Sequence, residues 1–271
     1  MSVIFTVFAG RERYMKVLIP YIEKLNVDEV HIWDFTRNKS DAEYLQNSCK
    51  KFKLFSVKDK STYSEYYDYY TKKRYPNPLD VIVKCDDDIV FIDTDSFDAF
   101  IDMRRRDPTA FIYSANVVNN PVCTLVCGKK GLYEINENIR IDTENDAEYY
   151  HGNFLKNPTE FIEKCKKVGR LSELTLNSEK YKRFNINFIA ILAKDLDIFE
   201  NGYIREDDEV FLGTYGPHFY KRNVVIDVHF VVSHMAYFKQ RENGYDETED
   251  LKRYQGLTCT PAASKMLTKH S

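Results

Sequence analysis

Glycine and proline are scarce, ten and eight residues in a chain of 271. That poverty excludes a collagen-like or low-complexity chain. Tyr, Phe and Trp make 14% of the residues, which excludes a disordered one. A surplus of basic charge is also lacking. The 39 Lys and Arg stand against 42 Asp and Glu, a net charge of −3, whereas neutralising nucleic-acid phosphates takes a clear basic excess. No apolar run is long enough to span a bilayer. The opening MSVIFTVFAGRERYM meets charge at Arg11, Glu12 and Arg13, too early for a signal peptide. The six cysteines, Cys49, Cys85, Cys123, Cys127, Cys165 and Cys259, are scattered, so no disulfide framework is expected. Cys123 and Cys127 lack the spacing and the matching pair of a zinc hook, and read as small buried residues. The sequon Asn38-Lys39-Ser40 has meaning only in a secreted chain. Together these absences lead to the expectation of a soluble cytoplasmic protein with one domain over 1–271.

The first half alternates strand-like and helix-like segments. Val3 to Phe8 reads as a strand and Arg11 to Leu25 as a helix, with Met15, Leu18, Ile19 and Ile22 on one face. Val27 to Phe35 reads as a strand, Ala42 to Lys51 as a helix capped at Ser40-Asp41, and Phe52 to Val57 as a third strand. Ser61 to Lys73 is a helix crowded with tyrosines and ended by Pro76 and Pro78. It is expected to pack one face and expose the rest. Leu79 to Lys84 is a nearly continuous apolar run, as expected of a strand covered on both faces. This order predicts an α/β fold with an open, mostly parallel sheet flanked by helices. Ligands of such sheets sit beyond the carboxyl ends of the strands. Further on, Ala110 to Ala115, Phe184 to Leu192 and Val224 to Phe238 read as strands and Asn157 to Val168 as a helix. Val117 to Cys127 reads as irregular, Glu134 to Gly152 as a polar loop, and the chain beyond Lys239 as a polar tail. Trp33 reads as core, and Arg104 to Arg106 as a solvated helix end.

Three groups carry chemistry. Asp86-Asp87-Asp88 follows the apolar strand directly. Adjacent carboxylates at a strand end need water or a divalent cation, and alternate residues of an extended segment, Asp86 and Asp88, can face one ion. An acidic turn is the plain alternative. Glu206-Asp207-Asp208-Glu209 suits either a helix start or a general base for an acceptor hydroxyl. His234 closes the last strand, where a histidine is either core or a metal ligand, and His229 faces the opposite side. Asn116, Asn119 and Asn120 suit sugar hydroxyls or a turn before Pro121.

The segment VIVKCDDDIVFID resembles the strand-plus-DxD segment of nucleotide-sugar glycosyltransferases of the GT-A fold. The opening FTVFAGRERYMKVLIPYIEKL with VDEVHIWDFTRN, then SANVVNN, NINFIAI, EDDEVFLG and VVSHMAYFKQ, are similar to predicted bacterial and algal large-DNA-virus (chlorovirus-type) members. The resemblance implies a Rossmann-like GT-A domain with a nucleotide-sugar-binding half at 1–115, an acceptor-binding half at 116–245 and a tail at 246–271. It implies Mn²⁺ or Mg²⁺ on Asp86, Asp88 and His234. The nucleotide sugar would lie against Phe8, Ala9, Gly10, Arg11, Asp34, Lys84, Asp86 and Asp87, and the catalytic base would be Asp208, Glu209 or Asp207. The implied reaction takes a sugar from a nucleotide-diphosphate donor, such as UDP-xylose, UDP-glucose or UDP-galactose, to a glycan or glycoprotein acceptor, with inversion. A metal-dependent phosphohydrolase and an inactive sugar-nucleotide-binding relative are the alternatives.

Overall fold

Nine strands build one sheet in the computed structural model, which describes residues 1–132, 147–174, 184–199 and 208–259. The strands are β1 (Val3–Ala9), β2 (Glu29–Asp34), β3 (Lys53–Ser56), β4 (Val81–Asp86), β5 (Ile89–Ile92), β6 (Ile112–Val118), β7 (Leu171–Leu174), β8 (Phe188–Leu192) and β9 (Val224–His234). Their order is β3-β2-β1-β4-β8-β6-β9-β5, with β7 also paired to β9. Strands β5, β7 and β8 run against the other six. The expected α/β architecture, an open and mostly parallel sheet flanked by helices, is the one observed.

The helices are α1 (Glu12–Ile22), α2 (Lys39–Ser48), α3 (Ser64–Tyr69), α4 (Phe97–Arg106), α5 (Pro121–Lys129), α6 (Ala147–Lys156), α7 (Pro158–Lys166), α8 (Asp208–Val210), α9 (Gly216–Tyr220), α10 (Phe238–Glu242) and α11 (Thr248–Cys259). A π-helical turn, Phe211–Tyr215, joins α8 to α9. Among the described residues, no helix is long and apolar enough to cross a membrane. Apolar side chains of β1, β4, β8 and β9 are almost entirely buried, and Phe5, Phe97, Phe100, Phe188 and Phe230 interlock through the centre, mostly edge to face, with Phe100 stacked on Phe230 at 4.5 Å. Trp33 is core as expected, stacked on Phe55 at 4.4 Å with its indole N–H donating to the Tyr70 hydroxyl at 3.0 Å. Five cysteines, from Cys49 to Cys165, are free and buried.

Several expectations are corrected. The tyrosine helix is only Ser64–Tyr69, and Tyr66, Tyr67 and Tyr70 are all buried rather than on an exposed face. Val117 to Cys127 is regular: β6 runs to Val118, and α5 starts after Asn120, whose side-chain oxygen accepts from the Val122 and Cys123 amides. The expected polar loop from Glu134 to Gly152 is helix from Ala147 on, where α6 begins; residues 133–146 lie outside the described residues. Arg104 is fully buried, donating to the carbonyls of Asp107 at 2.6 Å and Ala110 at 3.1 Å. The tail contains α10 and α11. The Tyr14 hydroxyl donates to Glu247 at 2.7 Å, and Leu251 and Tyr254 are buried, so α11 packs against α1, α6 and β5.

Candidate active site

The sheet register assembles the site. Phe8 of β1 lies beside Asp86 of β4, and Ala9 beside Asp34 of β2, so three parallel strands end at one level. β4 then turns through Asp87 and Asp88 into β5, where Ile89 pairs with His234. The Met235 amide donates to the Asp88 carbonyl at 2.8 Å, which seats the third aspartate against the end of β9. β8 runs the other way, so the residue before it, Asn187, meets the end of β4; its carbonyl accepts from the Asp86 amide at 2.9 Å. These edges surround a cleft of about 580 Å³, the size of a small-molecule site.

Each aspartate of the triplet has its own partners. Lys84 and Asp86 share one face of β4 because they are two residues apart. The Lys84 ammonium donates to Asp86 Oδ1 at 2.7 Å, and Asn187 Nδ2 donates to Asp86 Oδ2 at 3.1 Å. Asp87 accepts from the Gly10 amide at 2.9 Å and takes a fork from Arg11. A Cβ at position 10 would lie 3.3 Å from that carboxylate and 3.5 Å from the Phe35 carbonyl, so this close approach favours glycine. Asp88 Oδ2 accepts from Arg11 Nη2 at 2.9 Å and lies 3.4 Å from His234 Nε2. Because Asp87 and Asp88 form a turn, the strand alternation expected of Asp86 and Asp88 does not operate.

Electrostatics follow the partners. Burial raises the Asp86 carboxyl, Lys84 opposes this and Asp88 adds to it, leaving it pushed up to about 6. Burial also raises Asp87, and the Arg11 guanidinium only partly offsets this. Burial would raise Asp88 too, but His234 and Arg11 outweigh it and hold that carboxyl below the ordinary range. Lys84 is buried, which by itself favours the neutral amine, yet Asp86 and Asp208 more than restore its charge.

A second acidic segment reaches the same cleft from far along the chain. Asp208, at the start of α8, is buried, and its Oδ2 accepts from the Tyr67 hydroxyl at 2.8 Å and lies 3.7 Å from Lys84 Nζ. Glu209 also lines the cleft, half-buried. Glu206 and Asp207 lie outside the described residues.

Of the residues expected at the site, Phe8, Gly10, Arg11, Lys84, Asp86, Asp87, Asp88, Asp208, Glu209 and His234 all line this one cleft. Ala9 does not: it is wholly buried in the core. Asp34 is set back as well. It accepts from Lys60 at 2.8 Å and from the Thr36 amide at 2.9 Å, so it shapes the loop after β2. His229 points away and meets the Val168 carbonyl. Asn116, Asn119 and Asn120 are buried structural residues. Asn119 adopts the left-handed conformation with φ 60°, and its amide donates to the Met235 carbonyl at 3.0 Å, tying β6 to the end of β9.

Sequence reasoning missed Tyr63, Lys60, Arg37, Asn187, Tyr237 and Arg241, which also line the cleft. Tyr63 stacks on Phe8 with centroids 5.1 Å apart and planes 10° apart, and Phe35 leans on both rings. Asn187 carried one available signal: it directly precedes a strand.

Among the described residues, the lining carries five cationic side chains (Arg11, Arg37, Lys60, Lys84, Arg241) against six carboxylates (Asp41, Asp86, Asp87, Asp88, Asp208, Glu209). A polyanionic ligand therefore needs further positive charge. Among the described residues, no three His, Cys, Asp or Glu side chains are close enough to hold a metal ion unaided. Asp88 Oδ2 and His234 Nε2 supply one oxygen and one nitrogen donor facing each other, and among the described residues the ring's other nitrogen, the buried Nδ1, has no hydrogen-bond partner. That pair fits an ion that takes its remaining ligands from phosphate oxygens.

No family model matches the sequence, and no curated protein matches it. Solved structures are similar at low identity. One is S. aureus TarS 1-349 in complex with UDP-GlcNAc, 12% identical over 95% of this chain with a TM-score of 0.48; this chain covers 65% of that one, less than two thirds. A CMP:2-keto-3-deoxy-manno-octonic acid synthetase complexed with CTP is 10% identical, covering 95% of this chain and 98% of its own, with a TM-score of 0.44. The galactosyltransferase LgtC, in complex with donor and acceptor sugar analogs, is 12% identical over 97% of this chain and 98% of its own, with a TM-score of 0.39.

Proposed function

We propose that this chain is a GT-A-type glycosyltransferase that moves a sugar from a nucleoside diphosphate, a UDP-sugar by preference, to a hydroxyl of a glycan acceptor with inversion. One observation carries this reading. A carboxylate–histidine pair at the ends of β4 and β9 shares a single cleft with a carboxylate pair, Asp208 and Glu209, delivered by a distant segment. The first pair suits the departing diphosphate and the second suits an incoming hydroxyl.

In this reading Phe8 and Gly10 border the nucleotide, with Tyr63 stacked behind Phe8. Asp88 and His234 would hold Mn²⁺ or Mg²⁺ beside the diphosphate. The ion, when bound, neutralises the diphosphate as a Lewis acid. Arg11 keeps Asp87 and Asp88 in place, and Lys84 fixes Asp86 through their 2.7 Å contact. A carboxylate of the second pair takes the proton of the acceptor hydroxyl. The acceptor oxygen, relieved of that proton, bonds to the anomeric carbon, and the bond from that carbon to the phosphate oxygen breaks with its electron pair leaving on the diphosphate.

The test is Asp88→Ala. It should lower Mn²⁺-dependent turnover of the donor by about a hundredfold, equivalent to about 3 kcal/mol, and should weaken Mn²⁺-dependent UDP binding, with the circular dichroism spectrum unchanged. Wild-type turnover in that variant would refute the site. His234→Ala should act in the same direction and less severely.

A further inference from the structure

The acidic segment offers two described carboxylates, Asp208 and Glu209, and the contacts of Asp208 define how it is held. Asp208 is held from below by two fully buried residues. Tyr67 of α3 donates its hydroxyl to Oδ2 at 2.8 Å, and Lys84 of β4 lies 3.7 Å from the same oxygen. Tyr67 has no freedom to turn elsewhere, since its ring is wedged edge-on between Tyr66 at 4.8 Å and Phe199 at 4.8 Å. Among the described residues both contacts of Asp208 fall on Oδ2, which leaves Oδ1 for a ligand in the cleft. Lys84 also holds Asp86 at 2.7 Å. One buried cation thus sets the spacing between the donor-side carboxylate and Asp208.

We propose that Tyr67, with Lys84, is a positioning residue that makes Asp208 the general base, a role that rests on the transferase reading above. A hydroxyl donated to one carboxylate oxygen fixes the plane of the group, so the second oxygen meets the acceptor hydroxyl at a constant angle. Removing that hydroxyl leaves the base present but free to rotate. The loss belongs to the reacting geometry and not to nucleotide binding.

Tyr67→Phe keeps the ring packing and deletes only the donor. The expected result is a fall in kcat of about ten- to a hundredfold, below the roughly hundred- to ten-thousandfold that a general base supplies as a whole, with the donor KM and the Mn²⁺-dependent affinity for UDP unchanged. Asp208→Asn should cost more. Adding Tyr67→Phe to it should cost nothing further, because Tyr67 acts through Asp208. Tyr66→Phe is the control: that equally buried hydroxyl meets Thr6 Oγ1 at 2.9 Å instead, and kcat should hold. Losses that multiply in the double variant, or an unaltered kcat in Tyr67→Phe, would overturn the proposal. Weaker UDP binding and lower stability with kcat intact would overturn it too, as signs of a purely structural tyrosine. Wild-type turnover is the reference throughout, so a wild type that turns over no nucleotide sugar refutes the transferase reading and takes this inference with it.

Discussion

At the scale of single residues, donor counting settles what a residue type alone leaves open. His151 shows this. The Met235 carbonyl can only accept, so His151 Nε2, 2.7 Å away, carries the proton. Its Nδ1 then accepts from the Tyr254 hydroxyl at 2.8 Å, and that hydroxyl accepts from Ser233 Oγ at 2.6 Å. The ring is neutral and fully satisfied, and burial pushes its pKa down from 6.5 to about 4. An unfolded histidine takes a proton near 6.5, so between these values the unfolded state binds more protons and stability rises with pH. The stabilisation is complete above 6.5 and lost towards pH 4, a span of about 3 kcal/mol. Asp86 works in the opposite sense in an overlapping window, because its folded carboxyl is raised to about 6. Urea unfolding of the wild type against His151→Gln isolates the histidine: the wild type should gain about 3 kcal/mol on the variant from pH 4 to 6.5. Parallel stability curves would contradict the neutral, buried ring. Arg104 taught the reverse lesson. Three adjacent arginines read as solvated, and the carbonyls of Asp107 and Ala110, with Asp195 Oδ2 3.5 Å from the guanidinium, explain why the first one is interior.

At the scale of elements, the long apolar strands were legible, while the short β5 and β7 and the joints between strands were not. The apolar runs at Val3, Leu79 and Val224 mark β1, β4 and β9, since a strand covered on both faces needs little else. The segment from Val117 to Cys127 was misread because its helix starts with an asparagine and a proline, and both also signal turns. In the structure Asn120 accepts from two amides of α5, at 3.0 and 3.2 Å, and donates to the Tyr237 hydroxyl at 2.7 Å. Asn120→Ala should therefore lower the stability measured by denaturant by about 1–2 kcal/mol, the cost of a lost helix cap. A change within a few tenths of a kcal/mol would show that water replaces the cap. The C-terminal segment was misread for a different reason. Its sequence is polar, and α11 is held by a few large contacts, Tyr254 and Leu251 with the Tyr14–Glu247 bond before it, rather than by an apolar stripe.

At the scale of the whole molecule, the register of the sheet decides which parts of the candidate site meet. Asp86, Asp87 and Asp88 were legible as a cluster, and His234 and Asp208 as separate candidates. Their union in one cleft depends on Ile89 pairing with His234 and on the segment between β8 and β9, which carries Asp208 to the same cleft. The aromatic wall of Phe8, Phe35 and Tyr63 also needed the fold, because three distant segments supply it. In the proposed reading, the five cations and six carboxylates that line the cleft among the described residues call for a nucleotide and a divalent cation to bind together. Linkage makes that dependence reciprocal. Calorimetric titration of UDP into the protein, with Mn²⁺ and then with a chelator, measures it directly. The expected result is UDP affinity at least about tenfold higher with the ion, with Mn²⁺ alone binding weakly and UDP strengthening it by the same factor. Equal UDP affinity in Mn²⁺ and in chelator, or no UDP binding in either, would contradict it.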